Sequence, residues 1–547
     1  MKTWQGATAS FVAMALVYLA SLAPDLATTH DGGELATAAV SLGIAHPPGY
    51  PLFTLLGHLF SLLPVVSLVG RVNLFCALAA ALGVTLFGLC FARLVDNLPA
   101  GLLAAAVGGL AVAPWRQAVG VEKYALHFVL AGALCCWAAY RRHGQAPNWP
   151  GALLLGLALC HHHTILLFAP ALLAYLWGTK SDEQPWWQTP AALVVGLLPL
   201  LYLPIRASQH PPLNWGDPSS PERLLWVLLR RGYGTGVLSA GHENASLGFR
   251  LGYYFQSLAL EQFSWGILLL LLAGAYLSWR DRERGGLLLG LAWFFTGPFF
   301  VVLAAQPPEA GYLDILDRFY AVSYLVAAGF LARLLAELKP PQAVGVGLLL
   351  CLVNGAAHWS STSQAGSYHL PDTVALVWQT LPPDALLIPA SDMTSGAFLY
   401  EQVVLGRRPD VQVIHAGLLT SDWYRQSLPR ELRKDSLAEV LTAGRPAYFE
   451  AVQPEIPGFF VPRGLVYQYL PAGAPIPERQ PVDRDTFERL EAFPRRGDWR
   501  RKPTTPYLRG YLMERWANAY RTVAESLPEP QAEVARQRAR TLSSGDS

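Results

Sequence analysis

The chemically informative part of this sequence opens on two carboxylates three residues apart, in Thr28-Thr29-His30-Asp31-Gly32-Gly33-Glu34. On a helix that spacing puts Asp31 and Glu34 on one face. There one carboxylate can take a proton as a general base while the other orients a partner. The same spacing also suits a helix start, with Asp31 as N-cap and Glu34 completing a capping box. The run Ala45-His46-Pro47-Pro48-Gly49-Tyr50-Pro51 follows. Its prolines and glycine make a stiff, non-helical turn. A rigid turn beside paired carboxylates suits a preorganised site, or a plain reversal between two interfacial helices.

Cations recur at the ends of apolar runs. Arg206 closes one such run, ahead of Pro211-Pro212-Leu213-Asn214-Trp215-Gly216-Asp217-Pro218. A guanidinium there can meet a phosphate as a fork-shaped donor, or simply snorkel to an interface. Arg318 sits in Asp314-Ile315-Leu316-Asp317-Arg318-Phe319-Tyr320 at the start of another run. It can face an anion, or Asp317 as a salt-bridge partner. Arg230, Arg231 and Tyr233 lie on an expected interfacial helix, and Glu122-Lys123-Tyr124 reads as a neutralised pair. The run His161-His162-His163 cannot turn all its rings to one site on a helix, and no acidic or Cys residue stands at i+4, so neither a metal nor a cofactor is expected. Asn244-Ala245-Ser246 is an acceptor sequon.

The elements that must position these residues follow from composition. Of 547 residues, 52% are apolar and only 15% charged, against about 25% charged in soluble chains. Mean hydropathy is +0.28. With 41 basic and 39 acidic residues there is no basic field for a nucleic acid. The six cysteines all lie in apolar stretches and read as small buried hydrophobes. About eleven runs can cross a bilayer, near 6–25, 72–94, 99–114, 124–140, 150–162, 164–178, 189–205, 262–279, 285–304, 318–337 and 341–358. The first also has the pattern of a cleaved leader, since Lys2 precedes an apolar core. Retaining it places Arg93, Arg141, Arg142, Lys180, Arg280, Arg282, Arg284 and Lys339 inside. Regions 26–71, 206–261, 305–317 and everything after 358 then lie outside.

Composition changes at Trp359, which divides the chain into a membrane part, 1–358, and an extracytoplasmic part, 359–547. In the second part 372–381 and 394–405 read as helices, Ala385–Pro389 and Val411–His415 as short buried strands, and 507–541 as two charged helices around Pro528-Glu529-Pro530. The expected fold is an α-helical polytopic membrane protein with a C-terminal extracytoplasmic α/β layer.

The acidic and proline-rich motifs together resemble the signature of a widespread family of multi-pass membrane proteins, whose animal member is a protein O-mannosyltransferase. The resemblance continues through His162-His163-Thr164, Ile205-Arg206-Ala207, Asn214-Trp215-Gly216-Asp217-Pro218 and Asp317-Arg318-Phe319-Tyr320. It covers roughly residues 20–330, and is loose after 358. It implies a GT-C glycosyltransferase in the cell's inner (plasma) membrane. Such an enzyme moves a mannose-like hexose from a polyprenyl-phosphate donor to a hydroxyl of a protein or glycan acceptor. On the same resemblance Asp31 is the catalytic base and Glu34 the second acidic residue. Arg206 and Arg318 then hold the donor phosphate, and His30, His46, Tyr50, His163, Asn214, Trp215, Asp217 and Tyr320 line the pocket. A transporter or lipid flippase with an external accessory part is the alternative, and calls for broken helices in repeated halves. A sensor or scaffold working through its tail would leave the carboxylates without a task.

Overall fold

The computed structural model describes residues 2–180, 184–232, 245–304, 310–497, 499 and 507–544. Five helices are long and apolar enough to cross a membrane: Leu68–Val95, Gln188–Ala207, Arg284–Leu303, Leu316–Ala336 and Pro340–Thr362. A sixth span results if Leu247–Gln262 and Trp265–Arg280, bent by 113°, are one crossing. Against the eleven expected runs, several are shorter helices, including Leu98–Gly109, Trp149–Leu159 and His163–Leu176. The physical reason is local: Leu98–Gly109 stops at Gly108-Gly109, and the 150–178 stretch breaks at its histidines. The longest helix, Leu68–Val95, starts where the Ser67 hydroxyl accepts from Gly70 N and stops where Asp96 turns left-handed. It packs on Tyr124–Arg142 at a glycine, since a Cβ on Gly83 would lie 2.6 Å from that of Phe128. Small residues at such crossings let helix backbones approach where no water drives them together.

After Thr362 the chain builds a five-stranded sheet, β1 (Leu386–Ile388), β2 (Gln412–Val413), β3 (Ala447–Phe449), β4 (Phe459–Arg463) and β5 (Val466–Leu470), in the order β2-β1-β3-β5-β4. The two expected strands are β1 and β2, paired in parallel across the Asp392–Val403 helix. Helices His369–Thr380, Tyr507–Ala524 and Gln531–Ser544 also fall where periodicity puts them. The β4–β5 hairpin, β3 and the Arg479–Ala492 helix lie outside the sequence reading. The apolar cluster that fills the helical part continues into this layer, through Leu370, Val374, Leu387 and Trp516.

The regions expected outside meet one another. Ile44 N donates to Leu213 O at 2.7 Å, and Trp215 N to Ile44 O at 3.1 Å. Val69 N donates to the Tyr400 hydroxyl at 3.1 Å. Helix Gly32–Ser41 lies backbone to backbone on Asp392–Val403, where a Cβ on Gly33 would come within 2.3 Å of Gly396 C. The basic residues expected inside gather elsewhere. Arg142 and Arg284 both donate to Trp177 O, and Arg141 to Lys180 O. Segments in contact share one side of a membrane. Cysteines placed at Ser219 and Lys434 should therefore react with an impermeant reagent from outside, and one at Gln145 only from inside; labelling of all three from one side contradicts this.

Candidate active site

Asp31 takes the N-cap position of Gly32–Ser41 but makes no side-chain cap hydrogen bond. Its carboxylate is turned instead to two cations. Oδ2 accepts from Lys123 Nζ, and from Arg318 Nη1 at 2.7 Å. Glu122 Oε1 stands 3.8 Å from the same Arg318 nitrogen. Asp31, Glu122 and Lys123 are all buried. Two carboxylates and two cations thus share one pocket at the junction of three distant segments. Burial raises the Asp31 pKa, but Arg318, Lys123 and His46 lower it more, and the carboxyl is held well below its usual range. Burial pushes Glu122 the other way, only partly offset by Lys123 and Arg318.

Lys123 is held from both ends. Its ammonium lies over the rings of Tyr50 and Tyr124, at 5.3 and 5.2 Å from their centroids. Its carbonyl accepts from His161 Nε2 at 2.8 Å. A carbonyl only accepts, so that nitrogen carries the proton. The neutralised Glu122–Lys123 pair read from sequence is thus corrected: Lys123 pairs with a carboxylate 92 residues away. Sequence reasoning passed over it because a neighbouring acid already accounted for the charge.

Glu34 binds the proline-rich turn. Oε1 accepts from His46 N at 2.6 Å, and Oε2 faces His46 Nδ1 at 3.0 Å. With Nδ1 donating to that carboxylate, Nε2 accepts from the Tyr50 hydroxyl at 3.3 Å. Glu34 so fixes His46, His46 fixes Tyr50, and the Tyr50 ring lies beneath Lys123. The capping box is replaced by this chain.

Other expected pocket residues divide. His30 lines a cavity with Glu122 and Arg318. Trp215 stands 6.2 Å from His46, and packs on Trp423 and His415 of the C-terminal layer. Asn214 and Asp217 shape the loop that carries it, through an Asn214 Nδ2 to Asp217 Oδ1 bond of 3.1 Å. Arg206 needs correction, because its guanidinium donates to Leu42 O, Ser41 O and Gln209 Oε1. The Ser41 and Leu42 carbonyls end the Gly32–Ser41 helix, so Arg206 caps that helix at the end away from Asp31. Tyr320 is corrected too. It shares a helix face with Asp317 and packs on Tyr254 and Phe300, while Arg318 points to Asp31. Of the histidine run, His161 and His162 ring Tyr50, whereas His163 starts the next helix. Tyr233 and Asn244 lie outside the described residues. Among the described residues no cluster of ligands fits a metal ion.

Comparison with known proteins bears on this arrangement. Residues 31–185 match the family model described as the protein O-mannosyl-transferase TMEM260 N-terminal domain. The chain is 28% identical over 468 residues to protein O-mannosyl-transferase TMEM260 of Mus musculus, covering 78% of this chain and 65% of that protein. It is 22% identical over 477 residues to the Dictyostelium discoideum protein of that name, covering 76% and 57%. The chain thus spans less than two thirds of the length of either relative. Its fold matches the crystal structure of ArnT from Cupriavidus metallidurans bound to undecaprenyl phosphate, with a TM-score of 0.54 at 16% identity over 86% of this chain and 98% of that one. These matches show the resemblance read from the acidic and proline-rich motifs, and the chain shares the fold of ArnT.

The electrostatics predict a pH signature. A carboxyl whose folded pKa lies below its unfolded value of about 3.9 contributes stability that is present above that pH, and lost as pH falls through the folded pKa. Asp31→Asn should therefore melt below wild type at neutral pH, by about 1.5–3 kcal/mol. The gap should narrow as pH drops under about 4. Thermal unfolding in detergent across pH reads this, and a gap constant down to the acid end contradicts the pairing.

Proposed function

We propose that this protein is a GT-C membrane glycosyltransferase. It moves a hexose, mannose-like by family resemblance, from a polyprenyl-phosphate donor to an acceptor hydroxyl such as Ser or Thr of a protein, on the extracytoplasmic face. The observation that carries this reading is the buried Asp31 held between Lys123 and Arg318. In a chain of membrane spans, one carboxylate facing two cations is an expensive arrangement unless it does work. The relatives' names and the undecaprenyl phosphate bound to ArnT are in keeping with it.

The chemistry needs three things. The acceptor oxygen attacks the anomeric carbon, and the bond from that carbon to the phosphate oxygen breaks. The lipid phosphate leaves with the bonding electrons, and the acceptor proton passes to Asp31. Lys123 and Arg318 stabilise the charge gathering on the departing phosphate. Arg318 offers a fork of donors and Lys123 a point charge. As long as both cations sit on Asp31, its carboxylate is a weak base. An incoming donor phosphate competes for them and frees it. Catalytic readiness thus depends on donor binding. Glu34 acts one step away, holding His46 and through it Tyr50.

Purified protein given a polyprenyl-phosphate hexose and a Ser/Thr peptide should yield glycosylated peptide by mass spectrometry; intact donor and unmodified peptide contradict the reaction. Asp31→Asn should cut turnover by about 10²–10⁴, with donor binding kept or tightened, since a neutral amide no longer competes with the phosphate for Lys123 and Arg318. Glu34→Gln should lose less, since the amide still accepts a hydrogen bond from His46. Near-normal turnover in Asp31→Asn would move the base elsewhere.

A further inference from the structure

The C-terminal layer brings a carboxylate of its own toward the site. Asp392 lies just beyond β1, and His415 just beyond β2, the parallel neighbour of β1. Strand β1 stands between β2 and β3, so the chain turns to one side of it for β2 and crosses to the other side for β3. In open α/β sheets, ligands bind outside the carboxyl ends of the strands, where the order reverses in this way. Asp392 occupies that place. His415 Nε2, 3.6 Å from Asp392 Oδ1, holds the carboxyl below its usual range against the burial that raises it. Asp392 is therefore an anion at neutral pH. Its side chain is 72% exposed, yet the charges of Asp31 and His30 both reach it. It is an open carboxylate within a cleft that leads to the candidate active site.

Aromatic rings join it to that site. Trp215 stands 6.3 Å from His415 and 5.4 Å from Trp423, centroid to centroid. In the other direction it stands 6.2 Å from His46, which is 5.1 Å from Tyr50, and the Tyr50 ring lies 5.3 Å from Lys123 Nζ. The cations carried by the two tryptophan segments are engaged, Arg425 by Asp422 and Asp435, and Arg223 by Asp217. Among the described residues, Asp392 has His415 alone within salt-bridge range. A carboxylate beside indole rings selects for a cation. The ring face attracts ammonium or guanidinium, Trp most strongly, and the carboxylate adds a complementary charge. A neutral sugar gains less from that charge, an apolar chain gains nothing, and an anion is repelled. An extended chain advances about 3.3–3.6 Å per residue, so the row from Lys123 to Trp423 spans at most about seven residues.

We propose that Asp392, with Trp215 and Trp423, holds a lysine or arginine side chain of the acceptor protein, so that Ser/Thr segments with a basic residue within about seven positions of the hydroxyl are preferred. This rests on the transferase reading above, and goes further in assigning the acceptor's class and the C-terminal layer's part in choosing it.

The test uses the full chain in nanodiscs, a polyprenyl-phosphate hexose and three peptides. The peptides share one Ser/Thr acceptor and carry Lys, Gln or Glu at a single position within about seven residues of it, scanned on both sides. Wild-type protein should show a KM for the Lys peptide about three- to ten-fold below that for the Gln peptide. The Glu peptide should have the highest KM, and kcat should be the same for all three. Moving the Lys beyond about seven residues should remove the advantage. Asp392→Asn should erase the difference between Lys and Gln peptides, and Trp423→Leu should shrink it, with a melting curve to confirm that each variant folds. The wild-type series needs no variant at all. Equal KM for the three peptides overturns the proposal. So does an Asp392→Asn loss that is the same for Lys and Gln peptides, as a carboxylate that only supports its own helix would give. Transfer to a glycan or lipid acceptor while every peptide stays unmodified overturns it too, and leaves the donor reading standing. Donor left intact with every acceptor overturns the transferase reading itself.

Discussion

The burial of Asp31 between Lys123 and Arg318 is the constraint that the rest of the structure serves. Charges removed from water cost several kcal/mol each unless geometry and hydrogen bonds compensate. The three residues come from segments 92 and 287 positions apart in sequence, so the helices that carry them must be held in register. Each has its own support. Asp31 rides on a short helix pressed against Gly396 by the absence of a side chain at Gly33. Lys123 is steadied by a histidine on its carbonyl and by two aromatic rings. Arg318 shares its guanidinium between two carboxylates. The far end of the Asp31 helix is closed by Arg206.

This arrangement makes the resting site a neutralised one. A carboxylate held low by two cations is poorly suited to take a proton, and two cations occupied by a carboxylate are poorly placed to take a phosphate. In the proposed reaction both become active together, when a donor phosphate displaces the carboxylate. The C-terminal layer belongs to the same assembly. Its Asp392–Val403 helix forms one wall of the Asp31 helix, and its Trp423 and His415 extend the aromatic surface that begins at His46 and Trp215. That surface lies next to the turn fixed by Glu34, which suits the approach of an acceptor chain.

How much of this was legible depends on whether the deciding partner is near in sequence. Asp31 stood out because ionisable groups beside an apolar run need a reason. The proline-rich turn stood out because Pro and Gly restrict the backbone wherever they occur. The parallel pair β1 and β2 was legible from short apolar runs flanked by helices. Lys123 was not, because Glu122 offered a local partner and only folding shows the distant one. The Arg206 side chain looked like a phosphate ligand because nothing in sequence marks which helix end will lie beneath it. In the histidine run, residue type was informative but direction was not. The break between helices brings His161 and His162 to Tyr50, while His163 opens the next helix. Strand β3 escaped notice because three residues are too few to show an alternation, and the β4–β5 hairpin because Pro462 and Gly464 interrupt its pattern.

The central claim is that a lipid phosphate takes the cations from Asp31 and so restores its basicity. Infrared difference spectroscopy of the carboxyl band measures it directly, with Asp31→Asn identifying the band and pH titration giving its pKa with and without bound polyprenyl phosphate. The account predicts a pKa well below the usual carboxylate range in the free protein, and a rise when the lipid phosphate binds. A pKa that stays where it was, or falls, on binding would contradict it.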